Sequence, residues 1–186
     1  MIDLIVALEM ELADITLPSG VRVTYCGVGK VNAALAAARV LALPDCRQVI
    51  NYGTAGSLVP TLAGQLVRVA TISQRDMDAR PLAPLGSTPF EDGEVAGEIT
   101  LGGEGARLST GDNFVTSPPE VPSDIVDMEA YALAKACRRV GMPFECYKFV
   151  TDLADEDATA NWRANVAKGA ALFLDVLRRH GALTRV

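Results

Sequence analysis

IVDMEAYALAKAC (residues 125–137) changes its hydrophobic period halfway along. Ile125 and Val126 close a short β-branched run, and Asp127-Met128-Glu129 interrupts it. Ala130, Leu133, Ala134, Cys137 and Gly141 then fall at i, i+3, i+4, i+7 and i+11. That spacing gives a helix one apolar face. The stretch reads as strand, turn and helix, with two acids in the turn. Asp127 suits a cap. Glu129 needs another explanation, and the ends of strands are where open α/β sheets bind ligands.

The same alternation runs along the chain. Strands are expected near 2–8, 21–26, 47–53, 65–73, 106–110, 124–127 and 144–151, and helices near 30–43, 129–140 and 160–179. Strands separated by helices predict one α/β domain over residues 1–186, three layers deep. Its centre is a mixed, mostly parallel twisted sheet flanked by helices. Val67-Arg68-Val69-Ala70-Thr71-Ile72 alternates more strictly, as an antiparallel or edge strand does. Residues 76–105, rich in Gly, Pro and acids, read as a long excursion of the kind that often carries function.

Composition narrows the chemistry. With 186 residues and 49% hydrophobic side chains, the chain can bury a core unaided. A net charge of −6 argues against a nucleic-acid partner. The apolar runs are strand-sized, so no membrane partner is expected. The start, MIDLIVALEMEL, lacks the basic region of a signal peptide. The four cysteines have no CxxC spacing, which suits reduced thiols of a cytoplasmic protein. The single histidine, His180, sits near the end of the sequence, leaving His-based zinc and Ser-His-Asp chemistry without their imidazoles. No metal or cofactor is expected, and acid–base work falls to carboxylates.

Polar motifs follow one strand after another: Glu11, Gly27-Val28-Gly29, Gly53-Thr54-Ala55-Gly56, Gly111-Asp112-Asn113-Phe114, Met128-Glu129 and Asp152. If the strands run parallel, these share one rim. GVGKVNAA (27–34) fits neither a Walker A loop nor a dinucleotide fingerprint, and alone reads as a tight turn. INYGTAGSL (50–58) reads equally as a plain turn or as backbone open to a ligand. In STGDNFV (109–115), Phe114 suits stacking on a flat base, though a lone Phe is more often core. Asp152, after an apolar strand, suits a general acid or a cap, and Trp162 either closes over a ligand or packs.

In this order, GVGKVNAA, NYGTAGSL, STGDNFV, DMEAYALA and FVTDLAD resemble the 5′-methylthioadenosine/S-adenosylhomocysteine nucleosidases of the purine nucleoside phosphorylase superfamily. The likeness runs from about Ile5 to Trp162 and includes the acidic start Ala7-Leu8-Glu9-Met10-Glu11. It implies a homodimeric hydrolase of small-molecule nucleosides in nucleoside catabolism and methionine salvage. Glu11 would activate water, Asp152 would protonate N7 of the leaving base, and Glu129 with Met128 would hold the ribose. Phe114 would stack on adenine while the Val115 backbone reads its edge. Thr54 would orient Asp152, Trp162 would cover the ligand, and Val28 and Gly56 would border it.

Related phosphorylases carry a basic residue before the third-strand glycine. Asn51-Tyr52 stands there, which favours water as nucleophile, although Lys30 and Arg75 are near enough to serve a phosphate. A phosphorylase and a non-catalytic nucleoside-binding protein are the alternatives. The chain is shorter than typical members of this family, most visibly at 12–20 and 91–105, regions that shape the 5′ pocket and the dimer contact. Residues 74–93 are expected to supply part of that wall, to the chain's own site or to a partner's.

Overall fold

β3 (Gln48–Ser57) is buried along most of its length because neighbours cover both its faces and both its edges. The computed structural model describes residues 1–13, 15–93, 96–153, 162 and 165–183; the side chains of Asp152 and of residues 180–183 lie outside that description. β3 pairs in parallel with β1 (Ile2–Val6) and with β8 (Phe144–Leu153). Its last two residues pair antiparallel with β7 (Ile125–Asp127). β7 runs parallel to β6 (Ala106–Thr110), and β6 parallel to β4 (Leu66–Gln74). β4 returns antiparallel to β8, so β3, β7, β6, β4 and β8 close a ring. β2 (Val21–Tyr25) extends the sheet beyond β1, and a two-strand register adds β5 (Ile99–Thr100) beside β4.

Period-2 alternation along β3 sends residues to different layers. Ile50 and Tyr52 pack with Tyr147, Phe149, Phe173 and Leu177, seating α3 (Ala170–Leu183) on one side. Tyr52 and Phe173 stack with ring centroids 4.2 Å apart. Val49 packs on the other side with Ala33, Ala37, Leu133 and Cys137, from α1 (Lys30–Leu41) and α2 (Ala130–Val140). The ring itself is filled by Val69, Ile72, Leu108, Ile125, Cys146 and Val150. α2 ends where Gly141 takes a left-handed φ of 69° and Met142 N–H closes back on the Cys137 carbonyl at 2.9 Å.

The expected mixed, mostly parallel α/β sheet is present, and its closure into a ring is what the hydrophobic pattern did not reveal. Four local expectations change. Gly53-Thr54-Ala55-Gly56 is not a turn after β3 but part of it, with a register shift between Ala55 and Gly56 against β8. β4 is antiparallel to β5 and β8, as one of its two readings had it, but it is interior rather than an edge and also runs parallel to β6. The excursion at 76–105 contains the short β5. The helix expected at 160–179 is interrupted, because Val166–Gly169 form a turn that presses Gly169 against Phe149. Trp162 and Asn165 before it are helical, residues 160, 161, 163 and 164 lie outside the described residues, and the helix after the turn spans Ala170–Leu183. A Cβ on Gly169 would stand 2.3 Å from Phe149 Cβ.

Candidate active site

A cavity of about 250 Å³ opens beside the middle of β3, bordered by the segments after β1, β2 and β7 and by the β6–β7 loop. Glu11, Val28, Thr54, Gly56, Phe114, Val115, Met128, Glu129 and Trp162 all line it. The structure thus brings together every proposed site residue whose side chain it describes. For Asp152 only the main chain is described. It pairs with Gly56, a residue that lines the cavity, just past the β3 bulge.

Glu11 reaches the cavity from a 3-10 turn, Glu9–Leu12, that follows β1. Its carboxylate is buried and accepts three hydrogen bonds. Leu8 N–H donates to Oε2 at 3.0 Å, Thr54 N–H to Oε1 at 2.7 Å and the Thr54 hydroxyl to Oε1 at 2.8 Å. Trp162 Nε1–H donates to Thr54 Oγ1 at 2.9 Å. The described contacts of Thr54 therefore run to Glu11 and Trp162.

Glu129 opens α2 and points inward, 6% exposed. Gly29 N–H donates to its Oε1 at 2.9 Å. Gly27 and Gly29, with φ of 81° and 99°, let the chain turn from β2 into α1 and aim that N–H across the site. Asp112 Oδ1 takes the next amide, Lys30 N–H, at 2.7 Å. Two acids from distant loops thus cap α1, where its own sequence offers no side-chain cap. Burial, with Asp127 close by, pushes the Glu129 carboxyl up to about 7.

Beneath these acids lies an ion pair that the sequence reading missed. Lys148 Nζ meets Asp127 Oδ2 at 2.8 Å, and both side chains are sealed from solvent. Asp127 also accepts Glu129 N–H at 3.3 Å, Ala130 N–H at 2.9 Å and the Thr110 hydroxyl at 2.5 Å. It caps α2, as its place in the turn suggested. Burial disfavours charge on Lys148, but Asp127 outweighs it and holds the ammonium above the ordinary lysine range. A lysine inside the apolar strand CYKFV was the available signal. Arg75, buried just after β4, is a second buried cation and itself lines the cavity.

Lys30 Nζ is bound to Asp76 at 2.5 Å, and the Arg75 terminal nitrogens donate to four backbone carbonyls. Neither offers a free phosphate clamp. The thiols are not nucleophiles: burial pushes Cys26, beside Glu129, up to about 11. Phe114 is half exposed at the mouth and Val115 is buried below it. Met128 borders the cavity next to Glu129.

An α/β fold whose cavity is lined by carboxylates at the ends of its strands defines a class. Residues 16–96 and 99–179 match the sequence profile of the phosphorylase superfamily, and the chain belongs to it. Within that superfamily it is similar to 5′-methylthioadenosine/S-adenosylhomocysteine nucleosidases. The protein of that name from Marinomonas sp. is 29% identical over 156 residues, 71% of this chain and 68% of the relative. Its counterpart from Staphylococcus saprophyticus is 27% identical over 180 residues, 84% and 78%. The Neisseria meningitidis nucleosidase, solved with methylthio-immucillin-A, superposes with a TM-score of 0.77 at 25% identity, covering 91% of this chain and 93% of that one. The Helicobacter pylori futalosine hydrolase shares the fold, with a TM-score of 0.83 at 23% identity over 96% and 98% of the two chains.

Two stability measurements check this electrostatic arrangement. Lys148→Met leaves Asp127 buried without its cation and should lower unfolding free energy by about 3–5 kcal/mol in urea. Adding Asp127→Asn should recover most of that loss; additive losses would mean the two residues do not form the unit described. Glu129 supplies the second test. Its raised value means the folded protein binds more protons than the unfolded chain between the ordinary glutamate value and about 7. Stability from this group is therefore present at low pH and lost as pH rises through that window, by up to ~1.4 kcal/mol per unit. Glu129→Gln should flatten that slope, and an unchanged slope would assign it elsewhere.

Proposed function

We propose that this chain hydrolyses the N-glycosidic bond of a purine nucleoside, with a 5′-modified adenosine such as 5′-methylthioadenosine or S-adenosylhomocysteine as substrate. The observation that carries the reading is Glu11 and Glu129 lining one cavity while each neighbouring cation is already bound to other partners. A phosphate would meet two carboxylates and no free clamp, whereas a water molecule suits both. This favours hydrolysis over phosphorolysis.

Breaking the bond leaves its electron pair on the purine and positive charge on the sugar. Asp152 supplies the proton to N7, so the base departs neutral as adenine. Glu11, fixed by Leu8 and Thr54, takes a proton from the water that adds to the anomeric carbon, and its negative charge favours the oxocarbenium-like state. Glu129 accepts from the ribose hydroxyls, and Met128 packs against the ring. Phe114 stacks on the base, Val115 main chain reads its edge, and Trp162 covers it. Val28 and Gly56 complete the wall. One carboxyl thus donates a proton and another accepts one.

The assembly we propose is a homodimer. The outer face of α1 leaves Val31 at 70% and Leu35 at 55% exposure, and Leu82 and Phe90 stand out from the 76–105 excursion. Such apolar surface is suited to burial against a second copy.

Incubation with methylthioadenosine, S-adenosylhomocysteine, inosine and futalosine, each with and without phosphate, tests the reaction. Adenine should appear from a 5′-modified adenosine without phosphate, and Asp152→Asn should slow release by about 10²–10⁴-fold while the ligand still binds. A phosphate requirement would make the protein a phosphorylase, and unchanged substrates would leave a binding protein. Sedimentation equilibrium should give twice the chain mass, falling to one for Val31→Glu/Leu35→Glu; a monomeric wild type would refute the dimer.

A further inference from the structure

Arg75 is a buried cation with no carboxylate partner among the described residues. Its guanidinium donates from Nη1 to the carbonyls of Ser109 at 2.7 Å and Asp127 at 2.9 Å. From Nη2 it donates to Gly111 at 3.1 Å and Asn113 at 2.6 Å. Its own N–H donates to Thr110 O at 2.8 Å. Only Nε–H, buried, finds no acceptor among the described residues. Gly111 makes room for this fork: a Cβ there would stand 3.0 Å from both Cγ and Cζ of Arg75.

The four carbonyls belong to two different parts of the site. Gly111 and Asn113 lie in the loop that presents Phe114 and Val115. Asp127 is the residue before Met128-Glu129. β6 and β7 pair as far as Thr110 and Asp127, Gly111 N–H donates once more to the Asp127 carbonyl at 3.1 Å, and past that bond the two segments border the cavity. At this junction one rigid planar group bonds to both, to the last paired residue of β7 and to the loop that follows β6.

We infer that Arg75 is a positioning residue that fixes the spacing between the base-binding loop and the ribose-binding turn. The inference rests on the nucleosidase reading. A glycosidic bond has a fixed length, so base and sugar can be gripped together only if the two subsites keep the matching separation. Misplacement by about 1 Å is worth about 100-fold in rate. A fork of several donors sets such a distance, whereas a lysine ammonium reaches from a single point.

Arg75→Lys keeps the charge and removes the fork. Its expected signature is loss of connection rather than loss of either subsite. Affinity for free adenine and for free methylthioribose should stay within about 3-fold of wild type, while kcat/KM for methylthioadenosine falls about 100-fold. Equal losses for fragments and nucleoside, or wild-type turnover, would overturn the inference. A wild-type enzyme that cleaves no nucleoside would defeat the underlying reading instead, so the two failures are distinguishable. Amide exchange on the unaltered protein gives a check that needs no folded variant. The amides of residues 111–115 and 127–131 should open together with one protection factor, and independent opening would refute the tether.

Discussion

The buried Lys148–Asp127 pair is the interaction on which the site depends. Taking two opposite charges out of water is costly, and the pair recovers that cost only if every remaining lone pair and proton is served. Asp127 meets this condition by accepting two α2 amides and the Thr110 hydroxyl besides the ammonium. The same bonds fix the entry of α2, hence the direction of Glu129, and tie β8 to β7 across the ring. Replacing the pair by apolar side chains would preserve packing and lose the turn that aims Glu129.

The charge balance around the cavity follows. Among the described residues, the carboxyl groups of Glu11, Asp127 and Glu129 stand near the two buried cations Lys148 and Arg75. Both cations spend their hydrogen bonds on protein partners, and the carboxyl oxygens of Glu11 and Glu129 line the cavity. Their field lowers the energy of a sugar developing positive charge and opposes entry of a phosphate. The raised value of Glu129 is the cost of crowding these acids in a buried place. Proteins commonly concentrate perturbed carboxylates where chemistry occurs.

Much of this was legible in the sequence. Period-2 runs and 3.6-residue patterns located seven strands and three helices, the last with different bounds, and the motifs following the strands marked the residues that meet. What the pattern could not carry was long-range pairing. β3 reads as ending at Gly53 because glycines punctuate sequences, yet β8 supplies a partner through Ser57 and the strand continues. β5 is two residues long and has no period to detect. Lys148 and Arg75 look like surface charges in a linear reading, since their burial depends on acceptors 21 to 52 positions away.

The site glycines acquire a different meaning from these contacts. Read locally, each marks a bend. In three dimensions they are spaces left for charged side chains. A Cβ on Gly29 would stand 3.2 Å from Asp112 Oδ1, and one on Gly111 would stand 3.0 Å from the Arg75 guanidinium carbon. At Gly53, which needs no positive φ, a Cβ would lie 3.2 Å from Glu11 Oε1 and 3.3 Å from Lys148 Nζ. Gly53 therefore occupies a strand that any β-branched residue would favour, and forgoes that preference so that a carboxylate and an ammonium can approach one backbone position. Local propensity gives way here to the packing of charge, as expected where a fold carries a functional site.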